Sequence, residues 1–126
     1  MSFAWAEYLT LAAALFRERA TFADQEACCR AAISRAYYAA FCAVRNHGRD
    51  YEGLPLSNTA RDHQIVYTHY AHNPNAQHKA IASTLHRLRQ RRNRADYDDR
   101  NIQQVEALTR NALHQAGQVF MLLQQL

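Results

Sequence analysis

The sequence predicts an all-α protein, an up-and-down bundle of about five helices. Only 3 of its 126 residues are Gly and 2 are Pro, so long stretches run without a helix breaker. Four Val and four Ile are too few β-branched residues to favour a sheet. Apolar residues recur at steps of three and four along most of the chain, the period of one helix face. The length fits one domain spanning 1–126, large enough to bury a core without disulfides or a metal.

The first helix is expected from about Ser2 to Glu18. Trp5, Leu9, Ala12 and Phe16 form its stripe, and Leu11 and Leu15 widen the buried face. Thr21-Phe-Ala-Asp24 reads as a capping box opening a second helix. That helix should run to about His47 on the row Ile33, Tyr37, Ala40, Phe41 and Val44, with Gly48 just past its end. Arg49 to Ser57 holds a Gly and a Pro and reads as a loop. Asn58 is the expected N-cap of a short third helix ending near Ala71. Asn73 should cap the fourth, with Pro74 at its first position, and that helix should end near Tyr97. Ile81, Leu85 and Leu88 face its core side. Asp98 and Asp99 offer capping oxygens to a last helix. There Ile102, Val105, Thr109, Ala112, Ala116, Val119 and Leu123 make a strict 3,4 seam suited to bundle packing.

The charge is concentrated. Of 15 basic residues, five are Arg inside the acid-free window Leu85 to Arg94, LHRLRQRRNR. The remaining ten basic residues face 11 acidic ones, so the formal +4 belongs to one stripe. Arg87, Arg91 and Arg94 recur along one helix face, with Arg89 and Arg92 on neighbouring faces. Like charges so spaced repel, and anionic phosphate, which Arg grips in a bidentate fashion, would offset the repulsion. Asp96, Asp98 and Asp99 could also do so from the end of the same helix.

Other chemistries find less support. No apolar run reaches the roughly 20 residues of a membrane span. The start lacks a basic region and carries Glu7, unlike a signal peptide, so a cytoplasmic setting is expected. Cys28, Cys29 and Cys42 form no CxxC and read as small buried residues. His63, His69, His72 and His78 lie around the third helix, with His69 and His72 three apart. They lack the spacing of a third metal ligand and read as exposed or hydrogen-bonded, so no metal or cofactor is expected. On the second helix, adjacent Tyr37 and Tyr38 point about 100° apart. Tyr37 belongs with the core row, and Tyr38 lies toward Ser34 and Arg45.

Two segments together resemble the HEPN domain family of small helical nucleotide- and RNA-associated domains. Ser34-Arg35-Ala36-Tyr37-Tyr38-Ala39-Ala40-Phe41 looks like the SRAYYAxF signature of that family's second helix. Arg92-Asn93-Arg94-Ala95-Asp96-Tyr97 is similar to the R-N-x-A-D-Y ending of its fourth. The resemblance covers nearly the whole chain and implies a bundle that dimerises. It also implies metal-independent endoribonuclease toxins paired with a small nucleotidyltransferase. Their catalysis is assigned to an Arg, a polar residue directly after it, and a His separated from that Arg by four to six intervening residues. Arg92 and Asn93 match the first two. The His does not carry over, because that interval from Arg92 leads to Tyr97, Asp98 or Asp99.

Three functional expectations follow. One is an RNA- or nucleotide-binding module of a prokaryotic toxin–antitoxin or defence-type system, binding through Arg92 and its neighbours Arg87, Arg89, Arg91, Arg94, Arg35 and Tyr38. Another is an endoribonuclease whose site is assembled across a homodimer from Arg92, Asn93, Asp96 and Tyr97 of each copy. The last is a non-catalytic bundle that pairs with a nucleotidyltransferase-type antitoxin. One open cleft lined by the Arg92 side chains of two copies would favour the RNA readings. A buried Arg92–Asp96 pair would favour the protein-pairing one, and a closed, acid-paired arrangement would count against both RNA readings.

Overall fold

The computed structural model describes residues 2–21 and 23–126, and Phe22 of the expected capping box lies outside them. Five helices follow in order: α1 Ala6–Arg17, α2 Gln25–Glu52, α3 Asp62–Ala71, α4 Ala76–Tyr97 and α5 Val105–Gln124. There is no strand among the described residues, and no helix is long and apolar enough to cross a membrane. The all-α bundle is as the sequence predicts.

The 28-residue α2 is the axis. At about 1.5 Å per residue it spans about 40 Å, and α1, α4 and α5 all pack against it, while α3 lies mainly on α4. Ala32, Ala36, Ala39 and Ala40 are fully enclosed, small enough to let neighbouring helices approach closely. Ile33, Tyr37, Phe41 and Val44 supply bulk to the same core, with Ile81, Leu85 and Leu88 from α4 and Ala112, Ala116 and Val119 from α5. The three cysteines are buried and free, as expected. Leu11 is the exception on the α1 stripe: it stays 43% exposed because the α1 contact is narrower than its apolar width suggests.

Several helix ends differ from expectation, each for a local reason. α1 begins at Ala6, not Ser2. Thr21 is not the cap of α2: its hydroxyl donates to Glu18 O at 2.8 Å, and Asp24 is the N-cap, accepting from Ala27 N at 2.9 Å. Gly48 does not end it. It lies inside the helix, buried where Leu54 and Tyr70 press in, with Leu54 Cδ2 3.0 Å from where a Cβ would stand. The chain turns instead at Gly53, whose φ of 68° is the left-handed value that favours glycine. Asn58 is also left-handed and is no cap. Asp62 organises that turn, accepting from Ser57 N and Ser57 Oγ at 2.7 Å each and from Asn58 N at 3.0 Å. These bonds hold its carboxyl below the usual range. Asn75, not Asn73, caps α4, accepting from His78 N at 3.0 Å, so Pro74 stays outside the helix. Asp98 accepts from Arg100 N within the α4–α5 connection rather than capping α5, which starts after Gln104.

Two glycines give opposite predictions. Gly53→Ala forces a Cβ into the left-handed region and should lower stability by about 1 kcal/mol. Gly117 sits inside α5 with open space at its Cβ position. Gly117→Ala should therefore raise stability by about 0.5–1 kcal/mol. Urea unfolding of the two variants checks both signs.

Candidate nucleotide-binding cleft

The two segments that carry the family resemblance meet in space. Arg30, one turn before Ser34 on α2, donates to the carbonyls of Ala95 at 3.1 Å, Asp98 at 2.6 Å and Arg100 at 2.6 Å. Glu26 pairs with Arg30 and accepts from Ile102 N. This net fixes the end of α4 against α2. One turn on, Ser34 Oγ donates to Asp96 Oδ2 at 3.3 Å. Arg92 is 7% exposed, its guanidinium carbon 5.4 Å from the ring centres of both Tyr37 and Tyr38. Asp96 stands 3.7 Å from Arg92 Nη1, an ion pair longer than a hydrogen bond. Arg35 lies over the rings of Tyr8 and Tyr38.

Beside this contact, α2, α3 and α4 enclose a cleft of about 210 Å³. Tyr37 and Phe41 form its α2 wall, His63 and Tyr67 come from α3, and Arg89 and Asn93 come from α4. No carboxylate is among its lining residues. Arg89 takes part in none of the ion pairs among the described residues. Its Nε, like that of Arg92, is buried with no hydrogen-bond partner. Buried polar groups are nearly always bonded, so each of these two nitrogens is an uncompensated donor in the free protein.

His63 was not singled out as a site residue, yet it is the cleft's histidine. Its ring lies flat on Phe41, centres 4.1 Å apart. Its Nδ1 stands 2.5 Å from the Tyr37 hydroxyl. Burial pushes the Tyr37 hydroxyl far up, so it keeps its proton in this bond with Nδ1. Burial, followed by the nearby charges of Arg89 and Arg92, lowers the His63 pKa to about 4. The sequence signal for it is faint: His63 follows Asp62, and only the Asp62 turn brings it beside Tyr37.

The remaining expected site residues divide. Asn93 lines the cleft. Arg87, Arg91 and Arg94 line a second groove between α4 and α5. Arg91 there donates to Gln115 Oε1 at 2.5 Å. Tyr97 is 73% exposed and lines neither. Tyr38 is half-buried against Arg92.

The histidines at the far end of α2 are hydrogen-bonded, as expected of most of them, but around a hub the sequence does not announce. Glu52 Oε1 accepts from His69 Nε2 at 2.7 Å, and Oε2 from His78 Nε2 at 2.8 Å. His47 Nδ1 stands 3.3 Å from Oε2. No group of three or more His, Cys, Asp or Glu among the described residues is placed to hold a metal ion. Comparison with known proteins found no matching family model, no matching curated protein and no matching solved structure.

Proposed function

We propose that the chain is an RNA- or nucleotide-binding module whose α2–α3–α4 cleft takes a phosphate and its base. The observation that carries this is Arg89: a cation in none of the ion pairs among the described residues, lining a cleft that no carboxylate lines. Phosphate supplies both the charge and the acceptor oxygens that such a guanidinium lacks. Tyr67 and His86, ring centres 5.5 Å apart at the rim, offer faces on which a base stacks. Asn93 and Gln64 add amide groups for its edges. The HEPN resemblance supports the same ligand class, and with it a homodimer in a toxin–antitoxin or defence-type setting.

Binding without cleavage fits the proton inventory. Metal-free RNA cleavage needs a group that accepts the ribose 2′-hydroxyl proton. His63 has its Nδ1 engaged by Tyr37, and a base of pKa about 4 is a weak acceptor. Arg92, the residue matched to the family's catalytic Arg, is packed between α2 and α4. Its burial beside Asp96 favours a structural role for that side chain. It also favours, as a second reading, a bundle that pairs with another protein.

Calorimetric titration with adenosine monophosphate at low ionic strength tests the proposal. Binding that weakens as salt rises is expected, and absence of binding at low salt overturns it. Burial is the larger cause of the lowered His63 pKa, and an anion in the cleft would offset the second, the charges of Arg89 and Arg92. The His63 titration midpoint, about 4 in the free protein, should therefore rise on saturation. Imidazole proton resonances followed through a pH titration check the direction. An unchanged midpoint would place the anion elsewhere.

A further inference from the structure

We infer that the cleft holds one nucleotide of a single RNA strand, and that this strand crosses α4 to lay its next phosphates on Arg87, Arg91 and Arg94. This rests on the nucleotide reading of the cleft and adds the strandedness and length of the ligand. The decisive feature is a second concavity, a groove of about 300 Å³ on the other flank of α4. Its floor is Ile33, Ile102 and Leu108, its rim carries the three arginines, and again no carboxylate lines it. Gln90 lines both concavities, so they lie back to back across one helix.

The three arginines are available. Arg87 and Arg94 are exposed. Arg87 bonds only the Ser83 hydroxyl, at 3.2 Å, and Arg94 stands 3.7 Å from Asp98, beyond hydrogen-bond reach. Arg91 lines the groove and is held by Gln115, to which it donates. At about 1.5 Å per residue, Arg87 to Arg94 cover about 10 Å of helix, room for more than one phosphate. Among the described residues their mutual repulsion has no offset beyond the loose Asp98 contact.

Strandedness follows from the shape of the first cleft. A base that reaches Tyr67 and His63 between three helices must have left a duplex stack, and A-form RNA does not present its bases to such a recess. An acidic protein segment would account for the groove alone. A strand accounts for two acid-free sites joined at Gln90.

The test is fluorescence anisotropy with a labelled single-stranded hexaadenylate, set beside adenosine monophosphate as competitor. The hexanucleotide should bind at least about tenfold more tightly than the mononucleotide, since its linked phosphates engage together. The double variant Arg91→Gln/Arg94→Gln should weaken the hexanucleotide about tenfold and leave the mononucleotide unchanged. It should also lower the salt slope by about 1.4, at about 0.7 per phosphate contact. Equal affinity for the two ligands, an equal loss for both in the variant, or equal binding of a longer G·C-rich RNA duplex overturns the inference. Displacement of the hexanucleotide by oligoglutamate at comparable affinity would assign the groove to an acidic protein segment and overturn it too. If adenosine monophosphate itself does not bind the wild-type chain, the nucleotide reading of the cleft falls first.

Discussion

Replacing Arg89 with Gln is expected to weaken adenosine monophosphate binding about 10- to 100-fold, the worth of one or two charge-assisted hydrogen bonds. The same substitution should leave the free protein as stable as before, or slightly more so. Arg89 forms no ion pair among the described residues, and its buried Nε is unbonded, so Gln removes a desolvated donor and breaks nothing. This pairing of outcomes separates a binding residue from a structural one. Arg92→Gln is the contrast. It removes a guanidinium packed on two tyrosine rings, contacts worth about 0.5–2 kcal/mol each. Its main effect should therefore fall on stability. Calorimetry for binding and urea unfolding for stability measure both variants. A large loss of stability in Arg89→Gln with unchanged binding would remove Arg89 from the site.

Glu52→Ala should damage the fold, costing about 2–4 kcal/mol. Glu52 is 20% exposed and accepts hydrogen bonds from α3 and α4 at once. Its removal leaves His69 and His78 with unpaired donors where three helices converge, and each such group costs about 1–3 kcal/mol. Asp50→Ala, two residues earlier on the exposed face, breaks only a surface pair with Arg49 and should have no measurable effect. Thermal and urea unfolding distinguish the two. A Glu52→Ala variant as stable as Asp50→Ala would sink the idea of a hub.

Acid should act through this hub and the cleft together. Burial alone would raise the Glu52 pKa, but the hydrogen bonds from His69 and His78 outweigh it and hold the carboxyl below its ordinary value of 4.5. His63 is likewise depressed, from 6.5 to about 4. Between its unfolded and folded pKa values, each group binds more protons in the unfolded chain. Stability therefore falls as pH falls, through His63 first between about 6.5 and 4, then through Glu52 below 4.5. In the variant His63→Phe the upper part of this decline should disappear.

How much was legible in advance is clearest residue by residue. The steps of three and four fixed helix type and which face of α2, α4 and α5 is buried, because 3.6-residue periodicity is local. Tyr37 in the core row and the seam from Val105 to Val119 follow from it. Helix ends were harder. Gly48 and Gly53 look alike in sequence, and only the packing of Leu54 and Tyr70 decides that the first stays helical while the second turns the chain. Asn73 and Asn75 offer the same capping oxygen, and the turn geometry chooses the later one.

By itself, then, the sequence determined that this is an all-α bundle with one concentrated arginine stripe on its fourth helix. Composition and periodicity are properties of neighbouring residues, and a chain carries them without folding. What the tertiary structure decided is the fate of each arginine: Arg92 buried between tyrosines, Arg89 unpartnered in a cleft, and Arg87, Arg91 and Arg94 along a groove. It also brought His63 to Tyr37 and gathered the histidines on Glu52, 17 positions from His69 and 26 from His78. Burial, pairing and proton affinity depend on what lies across the space between helices, and that is set only when the helices pack.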